Sequence, residues 1–127
     1  MNWIRPTTRL SIYLRDGLAC AYCGYAVEDG AQLTLDHCIP RSKGGDNGTN
    51  NLVTACFKCN SSRQDRPMRS FAYPVAEYLG DGTTGKDIMG HVMKCRRRNL
   101  DAHRTEAANL LKRRPKSGTK IMSALGL

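Results

Sequence analysis

The run Leu33–Arg63, LTLDHCIPRSKGGDNGTNNLVTACFKCNSSR, changes character three times within 31 residues. Its first part, Gln32 to Ile39, alternates: Leu33 and Leu35 share one side, Thr34 and Asp36 the other, as a strand requires. Pro40 ends it. Arg41 to Asn50 is a loop, because its Gly, Asp and Asn residues tolerate left-handed backbone. Leu52 to Ala55 returns as a second strand. Cys56 to Arg66 then reads as a helix closed by Pro67. Strand, loop, strand and helix in this order predict a small α+β fold.

Two cysteine pairs bracket this unit. Cys20-Ala21-Tyr22-Cys23 lies upstream, and Cys56-Phe57-Lys58-Cys59 opens the helix. A two-residue gap lets both sulfurs of a pair reach one ion, and two pairs complete a tetrahedral thiolate shell. Such a shell leaves no open position, so the expected zinc is structural. A redox CxxC does not account for two copies. Gly24 lets the backbone curl so that amides face a thiolate. Cys38 and Cys95 are left over, the first a buried thiol, the second an apolar helix-face residue.

Outside the central run the signals are coarser. Thr7 to Asp16 reads as a short amphipathic helix, capped by Thr7 or Thr8, ended by Gly17, with Leu10, Tyr13 and Leu14 toward the core. Glu28-Asp29-Gly30 is a turn. Phe71, Tyr73, Val75, Tyr78 and Leu79 form an apolar patch expected on the core, and residues 81–85 a loop. Lys86 to Lys112 reads as helix, with Ile88, Val92 and Cys95 on one face, a break at Asn99 and a restart at Asp101. Arg113 to Leu127 reads as a basic, frayed end.

The net charge of +9 is uneven. Residues 1–63 hold 7 basic and 5 acidic residues, whereas residues 64–127 hold 13 and 6. Between Lys94 and Lys120 ten basic residues meet only Asp101 and Glu106. A surplus concentrated in this way suits a polyanion such as DNA. No stretch approaches the apolar length of a membrane span, so no membrane partner is expected. Met1–Pro6 has no signal-peptide core, which sets the expectation of a cytoplasmic protein whose cysteine pairs bind metal rather than form disulfides.

The adjacent Asp36 and His37 supply two complementary functions. A carboxylate is a hard oxygen ligand for Mg²⁺ or Mn²⁺, and a neutral imidazole can take a proton from water. Phosphodiester hydrolysis needs both. Neighbours on a strand point to opposite faces, so they serve one centre only where the strand ends or bends, which Pro40 allows.

DHCIPRSKGG, NNLVTAC and CFKCNSSR together resemble the zinc-stapled HNH nuclease motif, over about residues 20–66. The resemblance implies a ββα-metal core that cuts DNA by metal-assisted hydrolysis, leaving 5′-phosphate and 3′-hydroxyl ends. It implies Asp36 as the first metal ligand, His37 as general base, Asn51 as the brace of the loop, and Asn60 as the last ligand. Many members have His at that last position; this would be an HNN variant, similar to the HNH domain of RNA-guided CRISPR nucleases. An amide oxygen suits Mg²⁺ or Mn²⁺ better than softer ions. Arg63 stands where the family commonly has Lys and is expected to clamp phosphate. Arg41, Lys43, Arg96, Arg97 and Arg98 are the further expected DNA contacts.

The expectation is therefore a nuclease domain over residues 1–80, a basic helical extension over 81–127, structural zinc on Cys20, Cys23, Cys56 and Cys59, and a catalytic ion on Asp36 and Asn60. DNA is the expected partner, with a larger nucleic-acid-processing protein as a second one. A non-catalytic zinc-dependent DNA-binding module and a protein adaptor are the alternatives on the same scaffold.

Overall fold

The computed structural model describes residues 3–113. Arg114, Lys116, Lys120 and nearly all of the expected frayed end lie outside them.

The element order is α1 (Pro6–Arg15), β1 (Leu33–His37), β2 (Leu52–Cys56), α2 (Phe57–Arg63), α3 (Met68–Leu79), α4 (Gly85–Arg97) and α5 (Asp101–Lys112). The two strands pair antiparallel, with Leu33 opposite Cys56, Asp36 opposite Val53 and His37 opposite Leu52. An isolated two-stranded sheet is marginal in water. Here α1 packs on β2 and α5, α2 packs on both strands, and α4 joins β2 to α3. All five residues of β2 are buried, because both of its faces are covered.

One hydrophobic core runs through the chain. Leu10, Ile12 and Tyr13 enter it from α1, Phe71 and Val75 from α3, Ile88, Val92 and Cys95 from α4, and Ala107 from α5. Core residues therefore lie on both sides of residue 80.

Several boundaries differ from the sequence expectation. Neither Thr7 nor Thr8 caps α1; Arg5 holds the cap position without a side-chain bond, and Pro6 fills the first turn, where its missing N–H costs nothing. The second helix stops at Arg63 rather than Arg66, because Gln64 turns to φ +53°. Pro67 opens α3 rather than closing α2. Residues 68–79, expected only as an apolar patch, are a helix with Pro74 inside it. That proline hid the helix, since it removes one backbone bond and disfavours the α conformation before it. Phe71 and Val75 are buried as expected, but Tyr73 and Tyr78 face solvent. The break at Asn99 and the restart at Asp101 hold, and Asn99 Oδ1 accepts from the Asp101 amide at 2.8 Å.

A buried ion pair joins α1 to β2. Arg15 Nε lies 2.8 Å from Asp16 Oδ1, with both side chains sealed. Arg15 also donates to the Thr49 carbonyl at 2.9 Å and the Leu52 carbonyl at 2.7 Å. Asp16 Oδ2 accepts the Thr54 amide at 2.8 Å. Removing one partner strands a charge away from water. Asp16→Ala is expected to lower stability by about 3–5 kcal/mol, measured as a lower urea midpoint at constant slope. A loss below about 1 kcal/mol, the scale of an exposed pair, would mean that Arg15 is compensated elsewhere.

Candidate functional site

The four thiols come together where the Cys20–Cys23 turn meets the junction of β2 and α2. Their sulfurs all lie within 4.8 Å of one another. Cys23 and Cys56 Sγ are 3.7 Å apart, and a tetrahedral zinc with bonds of about 2.3 Å sets its sulfurs about 3.8 Å apart. Each pair has the backbone turn that thiolate ligands require. The Cys23 amide faces Cys20 Sγ at 3.5 Å, and the Cys59 amide faces Cys56 Sγ at 3.4 Å. Gly24 closes the first turn at φ +79°. The four thiols share protons through their mutual hydrogen bonds, which lower Cys23 to about 2 and Cys56 to about 6 while Cys20 and Cys59 are raised, and an ion that binds all four sulfurs would displace the shared protons. The donor chemistry and spacing fit zinc.

Asp36 lies on the face of β1 that α2 covers, and it is buried. The Arg63 guanidinium ion-pairs with its Oδ2, and the Tyr22 hydroxyl donates to the same oxygen. Neither takes Oδ1. Burial, then the Asp36 charge, pushes the Tyr22 phenol well above its ordinary value, so it is a donor here. Burial works against the charge on Arg63, but Tyr22 and Asp36 outweigh it, and the guanidinium stays ionised.

This corrects the expected role of Arg63. Its side chain is fully buried, and it also donates to the carbonyls of His37 at 3.0 Å and Cys38 at 2.5 Å. A guanidinium sealed in this way cannot clamp a phosphate of DNA. It locks the end of β1 onto α2.

Asn60, one turn before Arg63, faces the same strand. Its Nδ2 donates to Thr34 Oγ1 at 2.9 Å and to the Leu35 carbonyl at 3.2 Å. A backbone carbonyl only accepts, so the nitrogen end is the one turned into the sheet. The amide oxygen, the atom a cation would use, points away. Asp36 and Asn60 thus both lie on one strand–helix interface, and each carries a hard oxygen of the type that Mg²⁺ or Mn²⁺ prefers.

His37 points to the other side of the strand end and is half-buried. Its Nε2 lies 2.8 Å from Asn47 Oδ1, and its ring sits 5.1 Å from the Trp3 ring, with the planes inclined by 31°. Arg41 Nη1 donates to the same Asn47 oxygen at 2.8 Å. Asn51 is buried and spans the loop: Oδ1 accepts the Ile39 amide at 2.9 Å, and Nδ2 donates to the carbonyls of Ile39 and Asp46 at 3.2 and 2.9 Å. Gly45 lets the loop close here, since a Cβ at that position would stand 1.7 Å from the Ile39 oxygen.

Lys43 and Arg97 are exposed, as is Arg41. Arg96 and Arg98 are partly engaged, Arg96 Nε with the Asn50 carbonyl at 2.6 Å and Arg98 Nη1 with the Arg15 carbonyl at 3.0 Å. Trp3, Tyr22 and Asn47 contact the expected site residues but were not singled out from sequence. Tyr22 sits inside a CxxC, where the cysteines draw attention, and Asn47 has the composition of an ordinary turn. Trp3 has no local signal.

Residues 20–66 match the family model of HNH endonucleases. This segment is an HNH endonuclease domain. A 59-residue stretch of the chain is 36% identical to a CRISPR-associated endonuclease Cas9 from Corynebacterium diphtheriae, covering 46% of this chain and 5% of that protein. A 65-residue stretch is 35% identical to the Cas9 of Actinomyces naeslundii, covering 50% and 6%. The chain thus matches about a twentieth of the length of these relatives. No solved structure matches it. No helix among the described residues is long and apolar enough to cross a membrane.

The HNH domain purified without added metal is expected to contain about one zinc per chain, as four thiolates on one ion require. Acidification should release it, because protons compete with zinc for the sulfurs. Cys56→Ser is expected to leave an unfolded product, and a folded, zinc-free variant would remove the metal from the account. Arg63→Met, which leaves Asp36 buried without a partner, should cost about 3–5 kcal/mol in urea unfolding. Asp36→Asn in the same chain should return part of that loss.

Proposed function

We propose that the chain is a metal-dependent DNA endonuclease in which His37 is the general base and Asp36 and Asn60 hold one divalent ion. The observation that carries this reading is that Asp36 and Asn60 meet across one strand–helix interface with His37 at the next strand position. Arg63 and Tyr22 both engage Oδ2 of Asp36 and leave Oδ1 unused, Asn60 turns its amide oxygen away from the sheet, and a half-buried imidazole at the adjacent strand position is held by Asn47. His37 takes a proton from a water molecule as the water oxygen attacks phosphorus. The bond from phosphorus to the 3′ oxygen breaks as the new P–O bond forms, and the 3′ oxygen leaves as a hydroxyl once protonated. A divalent ion bound by Asp36 and Asn60 would supply positive charge to the phosphate and to the departing oxygen. Asn51 keeps the loop closed so that His37 and Asn47 stay in register.

The DNA contacts proposed for this site are the exposed Arg41, Lys43 and Arg97 with the free donors of Arg96 and Arg98. A cleft of about 790 Å³, lined by Gly48, Thr49, Asn50 and Arg96 to Arg98, borders the loop that holds Asn47. It is wide and basic, as a sugar–phosphate backbone requires. Residues 81–127 are proposed to position the duplex, and their described helices do so from within the common core. Thiolate zinc persists in a reducing compartment, which keeps the cytosolic assignment. Cas9 relatives are far longer than this chain, so a larger nucleic-acid-processing partner remains part of the proposal.

One observation favours the alternative of a non-catalytic DNA-binding module. The Arg63 cation already occupies one oxygen of Asp36 and would compete with a metal ion. Supercoiled plasmid separates the two. With Mg²⁺ or Mn²⁺ the wild-type chain should nick, EDTA should stop it, and His37→Ala should lower the rate by about a hundredfold or more. A gel shift without nicking would select the binding module, and no shift at all the adaptor. Arg97→Ala should weaken DNA binding and reduce the salt slope by about 1.

A further inference from the structure

We infer that Asn47 is a positioning residue that fixes His37 with its proton on Nε2, so that Nδ1 is the nitrogen that takes the proton from water. The nitrogen assignment stands on geometry alone; its catalytic consequence rests on the nuclease reading above.

The chain of donors and acceptors has one solution. Arg41 carries only donors. Its Nη1 stands 2.8 Å from the side-chain end of Asn47, so that end is the carbonyl oxygen and not the amide nitrogen. A carbonyl oxygen only accepts. His37 Nε2, at 2.8 Å from the same oxygen, is therefore the donor. A neutral imidazole has a single N–H, so Nδ1 keeps its lone pair. The oxygen has two acceptor sites, one for each neighbour.

Asn47 is itself held. The Asp46 side chain accepts the Gly48 amide at 2.9 Å, and Asn51 Nδ2 holds the Asp46 carbonyl at 2.9 Å. The backbone on both sides of Asn47 is thus tied to the residue that closes the loop. Trp3 restrains the ring from its face at 5.1 Å, and the Arg9 guanidinium lies 5.8 Å from the Trp3 ring centre. A ring gripped at one nitrogen, with a tilted indole beside it, cannot turn over without breaking the bond to Asn47. Loss of Asn47 would leave the ring free to offer either nitrogen, with the strand end unchanged.

The test uses the full zinc-loaded chain with ¹⁵N-labelled histidine. In wild type the neutral ring of His37 is expected to show a protonated Nε2 and a bare Nδ1, with a slowly exchanging Nε2–H. Asn47→Asp keeps an acceptor oxygen and should keep that signature, while Asn47→Ala should lose the slow exchange. In plasmid nicking, Asn47→Ala should lower kcat by about ten- to a hundredfold with KM little changed. Asn47→Asp should restore most of the rate. Zinc content of each variant reports that the fold persists. A wild-type ring protonated on Nδ1 would overturn the inference, and so would an Asn47→Ala chain with unchanged exchange and kcat. If wild type fails to nick while the Nε2–H signature is present, the nuclease reading falls and the nitrogen assignment stands.

Discussion

The meeting of four sulfurs at the end of β2 is the constraint on which the rest of the site depends. Two strands of five residues and a helix of seven are each too short to be stable alone. Cys56 caps that helix, with its sulfur facing the Cys59 amide. The helix axis therefore leaves the sheet in a direction set by the thiols. Asn60 follows Cys59 directly, and Arg63 follows one turn later. Where the sulfurs hold α2, both residues meet β1, and no other element is needed to bring them there.

Two buried guanidiniums complete the frame, one at each end of the loop. Arg63 holds its start through the His37 and Cys38 carbonyls. Arg15 holds its return through the carbonyls of Thr49 and Leu52. Each is neutralised by a buried aspartate, Asp36 or Asp16. Buried pairs of this kind contribute little net stability against an apolar replacement. Their value here is geometric. A loop rich in glycine and asparagine has many conformations, and fixed donors at both ends with Asn51 across the middle leave one of them. Arginine does this better than lysine, because a planar fork reaches several carbonyls at once.

Much of this was legible in the sequence, and the failures have physical causes. Period-two alternation marked β1, and the two CxxC pairs marked the sulfur cluster, because both are local patterns tied to geometry. Asn99 and Asp101 gave the break between α4 and α5 for the same reason. The helix at residues 68–79 escaped because Pro74 is a strong local signal against a conformation that packing of Phe71 and Val75 nevertheless supports. Arg63 was misread because a charged residue is exposed by default, and its burial depends on Asp36, 27 residues away. The partnership of His37 with Asn47 was invisible for a similar reason. Composition assigned Asn47 to a turn, which is correct, but nothing local says where a turn residue points its side chain.

The placement of charge ties these threads together. The basic surplus lies in the second half of the chain, where it could have been a detachable tail for attracting DNA. Instead the arginines at the end of α4 reach back into the frame. Arg96 holds the Asn50 carbonyl, so it both presents positive charge and braces the loop beside Asn51, while Arg98 fastens α4 to the end of α1 through the Arg15 carbonyl. A guanidinium can do both, because one N–H fastened to a carbonyl leaves others free for a phosphate. One helix thus carries part of the basic surplus and, through Arg96, part of the support of the loop. On the nuclease reading, a substitution at Arg96 would weaken the charge of the cleft and loosen the loop together, whereas one at the exposed Arg97 would change the charge alone.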